Sequence, residues 1–297
     1  ALKEARAGDT IILGDGDYHA RLISSRGGEK GRPITIVGGA NAVIKGPSDP
    51  IQINHSWITL QGFSVDGTIH DGEDGKKSSF VDKCVRIDGR GKHSNEKPLE
   101  GFVMKGMTIR NCGGECIRLK NFVQRAEITA NTLEYCGRAN FPLRHNNDKR
   151  ENKNGEGIYI GTSSQQVRNG NGSGRLRSGV LIRNLISGNT IATHGNECVE
   201  VKEGSSRNVI EYNVCSDQLD VNSGCLGSRG DANTFRYNDV FDCLGAGVRL
   251  GGHEFRNYQF GQGNTVCGNH FNRVTAGSIR VMIDQPQGVI CSNSCRD

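Results

Sequence analysis

Between Glu115 and Met282 one six-residue pattern returns at irregular intervals, with apolar residues mostly at its third and fifth positions and polar ones mostly at its fourth and sixth. The copies are Glu115–Lys120, Glu156–Gly161, Glu197–Lys202, Gly224–Arg229, Ala246–Gly251 and Gly277–Met282, and Asp49–Asn54 and Lys83–Asp88 extend the series upstream. Side chains alternate across a strand, so each copy predicts a short strand with one face buried and one face offered outward.

A second repeat runs in phase with the first. Units that end in Asn recur at Asn131, Asn189, Asn213, Asn238, Asn269 and Asn293, each about one short loop after a copy of the strand. Repeats of this size with several short strands each predict a solenoid. Asn at fixed turn positions suits the left-handed conformation and allows amides to stack in ladders from rung to rung. Upstream, Gly8–Leu13, Pro33–Val37, Ala42–Lys45, Ile51–Ile53, Trp57–Leu60 and Phe63–Val65 read as further strands, with Ala1–Ala7 as a short capping helix. Thr68–Asp82, Phe141–Asn154 and Ser163–Ser178 are polar and read as loops leaving the coil. The fold class expected is all-β, a single parallel β-helix over residues 1–297 with protruding loops and a short N-terminal cap.

Only 34% of the residues are apolar, which a solenoid tolerates because its interior is narrow. The formal charge of +5 is modest for 297 residues and gives no reason to expect a nucleic-acid partner. No apolar run is long enough for a membrane span, so no membrane partner is expected. Eleven cysteines without paired Cys-x2-Cys motifs argue against zinc and for a secreted, disulfide-containing protein. Cys84 and Cys116, Cys198 and Cys225, and Cys267 and Cys291 fall in shared columns. Cys112 with Cys136 and Cys215 with Cys243 are looser neighbours, and Cys295 is left over. At least two bridges are expected, with the connectivity open. Asn54 and Asn171 stand in glycosylation sequons.

Stacking the strands about 4.8 Å apart converts the repeat into a map of a face. One outward column reads Gln52, Arg86, Arg118, Tyr159, Glu200, Gly227, Arg249, Arg280; the next holds Asp88, Lys120, Lys202, Arg229 and Met282. A third brings together Glu115, Glu156 and Glu197. Cations at this repeat distance suit a carboxylated or sulfated sugar chain, because arginine grips a carboxylate with two parallel bonds. Arg118, Lys120, Tyr159, Arg249 and Arg280, with His145 from a neighbouring loop, are the candidate substrate-binding residues. His194 and His253 are further candidates near the face.

The Gly8–Leu13 opening, the Asn-terminated units and the outward Lys/Arg strand resemble right-handed parallel β-helix proteins of the pectate-lyase-like superfamily. Within it, Glu197–Asp231 is most similar to polysaccharide lyases of the alginate lyase and chondroitinase B group. That resemblance implies β-elimination on an acidic polysaccharide, with Lys202 as base and Arg229 assisting. It also implies calcium held by Glu197, Glu200 and Glu156. In this chain the acids stand three apart and Gly230 follows the arginine, where the family has a histidine. The alternative reading is a non-catalytic structural or glycan-binding solenoid, monomeric or assembled end to end; an epimerase lacks its usual Asp-Pro motif here.

Overall fold

The computed structural model describes residues 1–72, 78–89, 98–141, 153–164, 181–255 and 257–296. Among these, three long sheets wind round a common interior: a nine-stranded sheet from Leu22–Ile23 to Ile279–Val281 and two ten-stranded sheets. One ten-stranded sheet begins at Thr10–Leu13 and the other at Gly16–Tyr18. Neighbouring strands in each come from successive turns of the chain, and every pairing within them is parallel. A four-stranded parallel sheet, from Leu99–Glu100 to Ser205–Ser206, lines one corner. This is the parallel β-helix that the two phased repeats predict.

The inward column of the nine-stranded sheet is Ile51, Val85, Ile117, Ile158, Val199, Leu226 and Val248, every one fully buried. Each such side chain contributes roughly 1.5–3 kcal/mol of burial, which is how a chain of low apolar content holds its coils together.

Asparagines close the coils through two ladders. In the first, the amide nitrogens of Asn131, Asn189, Asn213, Asn238 and Asn269 each donate to the side-chain oxygen of the next member, ending at Asn293. In the second, Asn184 donates to Asn208, Asn208 to Asn233 and Asn233 to Asn264. None of these asparagines has the left-handed backbone expected of it. The residue immediately before takes it instead, as at Ala130, Tyr212 and Tyr237, and at Arg183 and Arg207. That single turn residue swings the asparagine side chain inward, where its amide satisfies backbone groups of the adjacent rung.

Two local expectations change, and the disulfide pairing that was open is now defined. Residues 1–7 form a turn, with the Glu4 and Ala5 amides donating to the Ala1 carbonyl, and cap the first coil through buried Ala5. The segment read as a loop from Thr68 carries a small antiparallel pair, Thr68–His70 with Ser79–Phe80. Five disulfides form: Cys84–Cys112, Cys116–Cys136, Cys198–Cys215, Cys225–Cys243 and Cys267–Cys291. Only the last follows a column; Cys84 with Cys116 and Cys198 with Cys225 do not bridge. In-register neighbours present their Cβ bonds in parallel, whereas the end of one sheet faces the start of the next across a coil corner, so four bridges each staple one coil. Cys295 is unbridged and exposed.

Candidate active site

The outward column stands in register as the repeat implies. Gln52 pairs with Arg86, then Arg118, Tyr159, Glu200, Gly227, Arg249 and Arg280 follow in successive rungs. Lys202 and Arg229 lie just past the strand ends, where their amides donate to Ile160 and Val201 and continue the ladder.

The centre of this face is a closed electrostatic network. The Lys202 ammonium donates to Glu200 Oε1 at 2.9 Å, and Arg229 Nε lies 3.2 Å from the same oxygen. Tyr159 is clamped between cations, its ring centre 3.6 Å from the Arg118 guanidinium and 4.7 Å from the Lys202 ammonium. Such contacts strengthen when desolvated, and Arg118, Tyr159, Glu200 and Lys202 are all buried. Gly227 makes the arrangement possible: a Cβ there would fall 1.8 Å from Glu200 Oε2.

Behind this layer stand Glu115, Glu156 and Glu197 on adjacent rungs, joined by the Cys116 amide donating to the Glu156 carbonyl and the Gly157 amide donating to that of Glu197. Glu115 is neutralised by Arg118 at 2.5 Å and Lys83 at 3.2 Å. Glu197 accepts from the Ser223 hydroxyl and lies 3.7 Å from Arg249. Glu156 accepts from the Gly155 amide at 2.9 Å.

These surroundings split the acids. Burial, followed by the charges of Glu197 and Glu115, pushes Glu156 up to about 8. Burial and Glu200 also raise Glu197. Burial presses Glu200 in the same direction, yet Lys202 and Arg229 outweigh it and hold Glu200 below its ordinary value. Lys202 is raised because Glu200 overcomes the desolvation that would lower it. Tyr159 is raised by burial, against the opposing pull of Lys202 and Arg118.

The predicted residues separate by place. Arg118, Tyr159, Glu200, Lys202, Arg229 and Arg249 gather at the centre. Lys120 lies beside Asp88 at the N-terminal side, and Arg280 is on the last coil. His145 falls outside the described residues, as does Asn171. His194 does not come to this face; it stacks on Tyr135 at 4.4 Å in another sheet. His253 does come near: its Nδ1 lies 2.7 Å from Oε1 of Glu203, a buried carboxylate next to Lys202 that sequence reading passed over. The signal for Glu203 was its place directly after the last outward position of the strand.

Glu156, Glu197 and Glu200 are a poor fit to calcium. Calcium takes six to eight oxygens at about 2.3–2.6 Å from a convergent set. Here one oxygen of Glu200 and one of Glu197 are each engaged by cations. Among the described residues the only three potential ligand atoms within 4.8 Å of one another belong to Cys198, Cys215 and Cys225, which are disulfide sulfurs.

An alginate lyase from Paenibacillus sp. str. FPU-7 superimposes over 100% of this chain and 95% of its own, with a TM-score of 0.74 and 18% identity. The chain shares its fold. It is a right-handed parallel β-helix. A mannuronic-acid-specific family 6 polysaccharide lyase from human gut microbiota gives a TM-score of 0.54 at 18% identity, covering 94% of this chain and 62% of that one. A lacto-N-biosidase from Eubacterium ramulus gives 0.56 at 12%, covering 97% and 63%. No family model and no curated protein matches the chain by sequence. The same β-helix thus carries both lyases and a glycosidase, so the reaction has to be argued from side chains.

Proposed function

We propose that this β-helix is a secreted polysaccharide lyase that cleaves a uronate-containing polymer by β-elimination. The observation that carries the reading is the convergence of Lys202 and Arg229 on buried Glu200, beside a tyrosine held between two cations. Five disulfides suit an oxidising, extracellular setting.

Elimination requires the uronate carboxylate to be neutralised, the C5 proton removed and the leaving oxygen protonated. Arg229 and Arg249, the cations of this cluster that retain exposure, meet the carboxylate and stabilise the charge that builds on it. Lys202 enters as an ammonium because Glu200 keeps it so, which suits it to give a proton to the departing glycosidic oxygen rather than to act as base. Tyr159, which lies against both Arg118 and Lys202, is assigned as the proton acceptor. As its phenolate it takes the C5 proton while the C4–O bond breaks and the C4=C5 double bond forms. Solvent then restores both groups. Since burial raises Tyr159 and Glu200 raises Lys202, activity rises toward alkaline pH as the phenol ionises, while the lysine stays charged.

Mannuronate, guluronate and galacturonate polymers are incubated with the protein, with and without calcium, and unsaturated-uronate absorbance is followed. Tyr159→Phe removes the alkaline rise and the turnover without unfolding the chain. The paired, buried state of the central charges favours a second reading, a glycan-binding solenoid. Sugar binding without product across the whole panel, unchanged in Lys202→Met, decides for that alternative.

A further inference from the structure

Round the corner from the site face, the strands Leu99–Glu100, Val123–Gln124, Leu181–Ile182 and Ser205–Ser206 stack in parallel. The residue after each of the last three is an arginine. Arg125, Arg183 and Arg207 are in register: the Arg125 amide donates to the Ile182 carbonyl at 3.2 Å and the Arg183 amide to that of Ser206 at 3.4 Å. All three are exposed and have left-handed backbones, with φ of 52°, 57° and 56°.

This column sits at the turn position directly before the second asparagine ladder, where other rungs hold Gly101, Ala232 and Gly263. The turn itself asks for glycine, since a Cβ is disfavoured there. Like charges one rung apart also repel. Glu100 relieves only one of them, at 2.7 Å from Arg125. Among the described residues Arg183 and Arg207 have no ion-pair partner. The nearby Asp231 carboxylate is taken by the Tyr258 hydroxyl and the Gly261 and Gln262 amides, and Glu127 stands outward beside Arg125. Local pairing accounts for Arg125 but not for the exposed Arg183 and Arg207 that stand in register with it.

We propose that Arg125, Arg183 and Arg207 form a second polyanion-binding track, parallel to the solenoid axis, that holds a carboxylated polysaccharide away from the reacting site. Guanidinium groups repeating along the axis match a linear chain with a carboxylate on each sugar, and each can bind one bidentately. Arg125 and Arg207 each come five residues after a site-face lysine, Lys120 and Lys202, so a long polymer leaving the face can wrap onto the track. The choice of a uronate polymer rests on the lyase reading; the track itself does not.

The test compares the wild type with Arg183→Gln/Arg207→Gln, none of whose changed residues belongs to the site. Binding to polymannuronate and polyguluronate of about twenty sugars, and to trisaccharides, is measured by affinity electrophoresis at low and high salt. Each lost arginine weakens long-polymer binding about fivefold, roughly 25-fold together if additive, with less salt dependence and unchanged trisaccharide binding. If the protein cleaves these polymers, KM for long chains rises by that factor while kcat on trisaccharide stays. If it cleaves none, the binding comparison still stands alone. Equal polymer affinity in both proteins at matched thermal stability overturns the track. So does a loss confined to nucleic acid or anionic vesicles.

Discussion

Replacing Glu156 by Gln should make the protein increasingly more stable than the wild type as the pH rises. In the folded protein burial and the neighbouring carboxylates Glu197 and Glu115 raise this acid from 4.5 to about 8. The unfolded chain ionises it near 4.5, so between these values the folded state binds one proton more and stability falls with pH. The contribution is intact below about pH 4.5 and is lost progressively up to pH 8. At about 1.4 kcal/mol per pH unit, the 3.5-unit gap sets a ceiling of about 5 kcal/mol. Glutamine is neutral and nearly isosteric with the protonated acid, and its oxygen can still accept the Gly155 amide. The variant and wild type should therefore be within about 1 kcal/mol at pH 4.5 and diverge, with the variant favoured, by pH 8. Urea denaturation of both proteins at pH 4.5, 6 and 8 measures this, and taking the difference cancels every titration the two share. A difference that stays constant across the three pH values, or that grows against the variant, refutes the account of Glu156 as a carboxyl kept neutral by burial.

Gly227→Ala should disrupt the Lys202–Glu200–Arg229 cluster, because the new Cβ would lie 1.8 Å from one oxygen of the buried Glu200 carboxylate, whose other oxygen is held by Lys202 and Arg229. A loss of about 1–3 kcal/mol in urea unfolding is expected, together with loss of any lyase turnover. Asn213→Ala removes a buried amide that donates to Ile186 and Asn238 and accepts from the Asn189 backbone and side chain. It should cost about 3 kcal/mol, clearly more than Asn293→Ala at the ladder's end, as thermal melts of the two variants will report. Cys136→Ser should destabilise the protein by about 3 kcal/mol. Non-reducing peptide mapping should recover Cys84 linked to Cys112 and never to Cys116.

The sequence alone determined the coil. Apolar residues at alternate positions and asparagines in phase with them leave one arrangement that buries the first and pairs the second, since a parallel stack puts like on like at every rung. The same logic placed Arg118, Tyr159, Glu200 and Arg249 in one column. What it could not contain is anything decided across a coil or between columns. Four of the five disulfides follow the corner where two sheets meet, which depends on Cβ directions rather than spacing. The left-handed turn falls one residue before each asparagine, a choice made by where the amide must point. Lys202 lies two residues from Glu200 in the chain, but whether it is an ammonium or a free amine depends on how completely water is excluded from both. Burial of both side chains and a 2.9 Å contact favour the ammonium, and neither can be read from the spacing.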